Sequence, residues 1–315
     1  MGVFRLPVEL PTALSMARRS PIDFLLTTRV DALAAALPAA LGGEPTAVHR
    51  ARVASRRLRE VVPVFAAVAP SATRAGAAVK RVTRALGPAR ELDVTAALYA
   101  ALTAVTPVHP LAHAAVVRAF ARGRAAAVRA TKKALSTSHR RKLWAAVDAL
   151  TADLAGLPVA NAGLPVARVV AAVQARVAQR SRLVTGALDD LGVMYAPERL
   201  HAVRIAVKKL RYALEIAGDL RHTPTAASLR QLRAVQTMLG RVHDLHVLVE
   251  HLRQVEARIV TRSRPASRDL RRVVRSIDDE CRQLHASFLG RRAALGALAS
   301  TLSAPAVASR RRTAA

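Results

Sequence analysis

The sequence predicts an all-α protein, built as two helical bundles related by a pseudo-twofold axis, with two basic helices facing each other across it. Three observations carry this prediction. The chain is 52% hydrophobic but only 3% aromatic, so its core must be Ala, Leu and Val, a composition that suits close-packed helices better than sheets. No stretch of any length alternates apolar and polar residues as a half-buried strand does. Finally, a basic segment occurs twice: VHRARVASRRLR at 48–59 and LHAVRIAVKKLR at 200–211.

In chain order, residues 1–20 contain Pro7, Pro11, Arg18 and Arg19 and read as a flexible N-terminal arm. Pro21 opens a helical pattern in which Ile22, Leu25, Leu26, Val30, Leu33 and Leu37 recur at helical spacing, ended by Pro38 and Gly42-Gly43. Thr46 is placed to N-cap the first basic helix, which runs to about Val68 with Pro63 as its bend. A further helix reaches Leu86. Gly87-Pro88 breaks the chain with Pro at a helix start, and the next helix continues to about Thr103. Val116 to Ser136 and Arg141 to Leu154 read as two more. Gly156, Pro158, Gly163 and Pro165 mark the boundary between a first repeat at about 21–155 and a second at about 166–303. In the second, Val166 to Leu191 mirrors the first apolar helix and Pro197 opens the second basic one. Ala226 to Leu239 is expected to end at Gly240, as its counterpart ends at Gly87, with a new helix over Arg241 to Val260. Arg268 to about Leu302 is the last helix or helix pair. Residues 304–315, with Arg310-Arg311-Arg312, read as a disordered basic tail.

On a helix, His49, Arg52, Arg56 and Arg59 fall at i, i+3, i+7 and i+10 and share a face, while Leu58, Val61, Val62 and Phe65 lie opposite. A shift of 152 places His201, Arg204, Lys208, Lys209 and Arg211 on His49, Arg52, Arg56, Arg57 and Arg59 without a gap. The repeat extends further: Ala85-Leu86-Gly87 and Arg90-Glu91 face Met238-Leu239-Gly240 and His243-Asp244, and Lys80 faces Arg233. Like charges stacked this way repel by a few tenths of a kcal/mol, roughly, per i,i+3 or i,i+4 pair. With no acid interleaved before Glu60, an external anion is needed to offset that repulsion.

The whole chain carries a formal charge of +29, with 23 Lys and Arg against 9 acids up to residue 155 and 27 against 12 after it. Such a surplus favours a polyanionic partner: nucleic acid, an anionic membrane or a phosphate polymer. Cys281 is the only cysteine, which excludes an internal disulfide and a cysteine-based zinc cluster and fits a reducing cytoplasm. No apolar run is read as reaching the ~20 residues of a membrane span. Neither GxSxG, a Walker loop nor clustered carboxylates for magnesium appear, so no enzyme activity and no cofactor are expected. Metal binding is not expected either. His49 and His201 have Val53 and Ile205 at i+4, and His243 and His246, a better-spaced pair, are replaced by Arg90 and Asp93 in the first copy.

At these residues the chain resembles the CHAD family, the conserved-histidine α-helical domain. The likeness lies in HRARVASRRLR from His49, HAVRIAVKKLRY from His201, and the segments at Gly87 and Gly240, and it covers about residues 21–303. It implies two four-helix units around a basic central cavity that binds inorganic polyphosphate. Some members are associated with polyphosphate granules and some are fused to a triphosphate-tunnel domain, whose ExExK signature is missing here. Two departures stand out: Glu91 where the family more often has Asp, and His243 in the slot held by Arg90.

A phosphate polymer offers one charge per unit and little else to recognise. It calls for cations in a line, and Arg suits it because its planar fork makes bidentate contacts to phosphate oxygens. The expected polyphosphate-binding residues are His49, Arg52, Arg56, Arg57, Arg59, His201, Arg204, Lys208, Lys209 and Arg211, with Lys80, Arg84, Arg90 and Arg233 on adjoining helices. Nucleic acid is the alternative partner, disfavoured by the scarcity of aromatic stacking platforms; a phosphatase or phosphotransferase acting on polyphosphate is the other alternative.

Overall fold

The computed structural model describes residues 21–157, 163–220 and 226–304. The N-terminal arm, and all but the first residue of the basic tail, lie outside them. Every regular element described is helical: α1 (Pro21–Gly42), α2 (Pro45–Val61) continuing into a 3-10 turn (Val62–Ala67), α3 (Ala72–Ala85), α4 (Gly87–Val105), α5 (Pro110–Ala134), α6 (Thr137–Ala155), α7 (Gly163–Asp189), α8 (Pro197–Asp219), α9 (Ala226–Ile259) and α10 (Arg264–Ser303).

The aliphatic composition dictates how these helices meet. Small Ala and Val side chains let axes approach closely, and the core is a continuous set of them, with Leu25, Leu33, Leu58, Val79, Leu150, Val184, Leu210, Leu214, Leu252 and Phe288 fully buried. In the first half α2 packs against α1, α3 and α4; in the second, α8 packs against α7 and α9, and α9 against α10. The halves join where α2 crosses α8, where α4 and α5 meet α9, and where the 3-10 turn meets α7. Leu58, Val61, Val62 and Phe65 are buried as their position opposite the basic stripe requires, and so are Leu210, Ala213 and Leu214 on α8.

Several boundaries differ from expectation for local reasons. Gly43, at φ 87°, adopts the left-handed conformation that ends α1. The N-cap of α2 is Glu44 rather than Thr46: its carboxylate accepts the Thr46 and Ala47 amides at 2.8 and 2.5 Å. Pro63 tightens the end of α2 into a 3-10 turn. The largest difference is α9, which runs unbroken through Gly240. Gly87 is followed by Pro88, which lacks an amide hydrogen; Gly240 is followed by Arg241, which has one, so the ladder continues. α10 likewise forms a single helix of 40 residues. By length and composition alone, Ile22–Gly42 is long and apolar enough to cross a membrane, its most apolar 18-residue window having a mean hydropathy of 1.4. Here Ile22, Leu25, Leu26, Leu33, Leu37 and Ala40 pack into the helical core.

Candidate functional site: a desolvated cation cluster between α2 and α8

The crossing of α2 and α8 sets the centre of the site. Each helix buries its apolar face against its own half, which turns the two basic stripes toward each other. Arg52 and Arg56 from α2 and Arg204 and Lys208 from α8 all act on one another electrostatically, and all are partly withdrawn from solvent. Burial is the first cause in each resolved case and the neighbouring cations the second. Arg52 is pushed down to about 10, by burial and then by Arg56 and Arg204. Lys208 is pushed down to about 6, by burial and then by Arg56, Arg204 and Arg52. Arg204 is lowered too, burial outweighing the help of Asp244.

One atom-level device fixes Arg52. Its Nη1 donates to the Thr83 carbonyl at 2.9 Å, in the last turn of α3, where a carbonyl is free to accept. Gly87 makes room for it: a Cβ there would lie 3.2 Å from Arg52 Nη1. Gly240, its sequence counterpart, has nothing within 4 Å of that position.

Two carboxylates reach this cluster, Glu91 from α4 and Asp244 from α9. Among the described residues neither forms an ion pair within 4 Å. Burial raises Asp244 despite Arg204 and Arg90 beside it. The acids therefore temper the cluster without neutralising it. Tyr212, buried, also adjoins Arg52 and Arg204.

The remaining expected site residues lie in several different places. Arg59, Arg84 and Lys209 extend the cluster along the helices: Arg59 feels Arg84 and Arg56, and Lys209 feels Arg59. His49 and His201, both exposed, head the stripes, His49 beside Arg90 and Arg56, His201 beside Arg204 and Lys208, and both are lowered, first by partial desolvation of the ring and then by those cations. Arg57 and Arg233 line a recess of about 1000 Å³ between α1, α2, α8 and α9, together with Phe24, Arg29, Arg50, Glu215 and Asp219, and His49 borders it as well. Arg211 is engaged by Glu215 and by Gln236 Oε1 at 2.7 Å, and its guanidinium lies 4.4 Å from the Tyr212 ring centre. Lys80 is exposed on α3.

Sequence reasoning missed the meeting of His201 with His243. Their Nδ1 atoms are 3.1 Å apart and their rings 4.6 Å, because α9 passes beside the start of α8. Burial, then Arg204, His201 and Lys208, push His243 down to about 3. Both rings, with His246, Glu198 and Glu250, border a recess of about 300 Å³. Among the described residues no three His, Cys, Asp or Glu side chains are placed to hold a metal ion.

The model of the CHAD domain matches residues 25–253 of the chain. The fold is similar to that in the crystal structure of the CHAD domain from the plant Ricinus communis, at 21% identity and a TM-score of 0.55, over 90% of this chain and 91% of that one. No curated protein matches the chain.

Proposed function

The chain belongs to the CHAD family, and we propose that it is a non-catalytic, cytoplasmic binding protein for inorganic polyphosphate, recruited to polyphosphate granules. The observation that carries this reading is the desolvated, unneutralised cluster of Arg52, Arg56, Arg204 and Lys208, drawn from both halves. Holding cations partly out of water beside one another costs free energy in the empty protein. A polyanion reaching the cluster removes that cost and gains charge-assisted hydrogen bonds from each guanidinium. The payoff grows with the number of phosphates engaged, which favours a polymer over a single ion.

In this reading Arg52, held by the Thr83 carbonyl, presents its remaining donors to phosphate. Arg56 and Arg204 grip the chain from opposite helices. Lys208 supplies a proton-dependent point charge, and Arg59, Arg84, Arg90 and Lys209 continue the track. Glu91 and Asp244 keep the empty cluster from repelling itself apart. His49 and His201 donate to phosphate at the two ends.

Calorimetric titration with polyphosphate, followed by competition with duplex DNA of matched charge, tests the proposal. Polyphosphate is expected to displace DNA at far lower concentration than DNA displaces polyphosphate. The opposite order would assign the cluster to nucleic acid instead. Release of orthophosphate with magnesium or manganese present would replace binding by catalysis.

A further inference from the structure

Beyond Arg59 and Lys209, the cation track meets a second cluster that the duplicated motif does not contain. Glu60, 9% exposed, is the last acid of α2 and receives three donors on one oxygen. Arg176 Nε and Nη2 lie 3.1 and 2.7 Å from Oε2, and Arg180 Nη2 lies 3.4 Å from it. Both arginines come from α7. The same carboxylate acts on Arg59 and on Lys209, which also feels Arg180 and Arg176. One acid thus serves four cations, and Arg180 Nε is buried with no hydrogen-bond partner. Arg176 also opens onto a surface recess of about 340 Å³ bordered by Gln179 and Arg182.

A shift of 152 residues puts Tyr212 opposite Glu60, and Phe24 and Thr28 opposite Arg176 and Arg180. The cluster therefore has no twin in the other half, and the two ends of the cation track are chemically different. An ion pair built only to pin α7 to α2 would need one arginine, and would not leave a second one with its Nε buried and unbonded.

Resting on the polyphosphate reading, we propose that a polymer too long for the cavity leaves it past Arg59 and Lys209, and that its emerging phosphates are held by Arg176, Arg180 and Arg182. Glu60 is the carboxylate that occupies this exit subsite when no polymer is bound. The subsite gives the protein a preference for long chains and a fixed direction of exit.

The test compares tripolyphosphate, short enough for the cavity alone, with long-chain polyphosphate. The triple variant Glu60→Gln, Arg176→Gln, Arg180→Gln removes the buried carboxylate together with both arginines that pair with it and keeps a polar side chain at each position; Arg182→Glu alters only an exposed position. Each is expected to weaken long-chain binding about tenfold, the order that loss of charge-assisted contacts implies, with tripolyphosphate affinity unchanged. Glu60→Gln alone is expected to tighten long-chain binding, since the competing carboxylate is gone. Wild-type affinity for the long chain in the triple variant would overturn the subsite while leaving the cavity intact, as would equal losses on both ligands. A wild-type protein that binds neither phosphate chain would remove the underlying reading and the subsite with it.

Discussion

Lys208 gives the most direct handle on the cavity. In the empty protein its amine is held near a pKa of about 6 by burial and by Arg56, Arg204 and Arg52. At pH 7.5 such a group is only about 3% protonated, against nearly full protonation at its ordinary value of about 10.4. If a phosphate chain binds this cluster as proposed, it cancels the neighbouring positive charge and restores the ammonium. Binding at pH 7.5 should therefore take up about one proton from this residue, but only about a tenth of a proton at pH 5, where the free amine is already charged. The complex holds more protons than the free protein, so affinity rises as pH falls, by about fiftyfold between pH 8 and pH 6 if the bound amine regains its ordinary value. Titration calorimetry in buffers of different ionisation enthalpy measures the uptake. Lys208→Met should abolish most of it and flatten the affinity profile. Uptake near zero at pH 7.5 in the wild type, or unchanged uptake in Lys208→Met, would refute the argument. Stability follows the same linkage with the sign reversed. The folded pKa lies below the unfolded one, so between about pH 6 and about pH 10 the unfolded chain binds more protons, and the empty protein grows more stable as pH rises. Lys208→Met should stabilise it at neutral pH by roughly 1–3 kcal/mol.

Four further outcomes are expected. Polyphosphate affinity should fall log-linearly with salt, with a slope of about −3 to −5 if four to six cations are neutralised; a flat dependence would argue against the cavity. Reversing Arg52 and Arg56 to Glu should weaken binding at least about a hundredfold, as should reversing Arg204 and Lys208, and all four together little further; half-stoichiometric binding at unchanged affinity in either variant would mean two independent sites. Gly240→Ala, mid-helix and facing open space, should raise stability by about 0.5–1 kcal/mol, whereas Gly87→Ala should displace Arg52 and weaken binding severalfold, both read by thermal melts and titration. Replacing His49 and His201 by Gln should reduce the gain in affinity from pH 8 to pH 6, because both rings are held below their ordinary pKa until an anion arrives; an unchanged profile would leave them a structural role only.

What could be read from the residues alone was whatever depends on a single helix. The i, i+3, i+7, i+10 spacing from His49 identified the face that turns inward, and the buried face opposite it followed. What depends on two helices was harder. His201 and His243 are 42 residues apart, and nothing in either segment says that α9 crosses α8 at that level. Arg211 carried a warning that went unused: Glu215 sits one turn on, and its carboxylate engages the guanidinium. Arg57 lies next to the stripe in sequence but is rotated by roughly 100°, which turns it into the recess with Arg233. Gly240 misled because alignment matched it to Gly87, although the break at Gly87 depends on the proline that follows. The Glu60 cluster escaped notice because its arginines lie on an element whose counterpart in the other half is apolar.

The uninterrupted α9 has a mechanical consequence. Its 34 residues form a strut about 51 Å long that carries Arg233 at the α1 recess, then His243 beside His201 and Asp244 beside Arg204, in one rigid spacing. In the first half, the matching segment is two shorter helices joined at Gly87-Pro88, where the hydrogen-bond ladder is interrupted. Any adjustment to a bound polyanion is therefore expected at the jointed segment rather than along α9. Amide exchange should report this directly, with protection along Leu239–Leu245 unchanged by ligand and protection around Leu86–Arg90 rising when polyphosphate is bound.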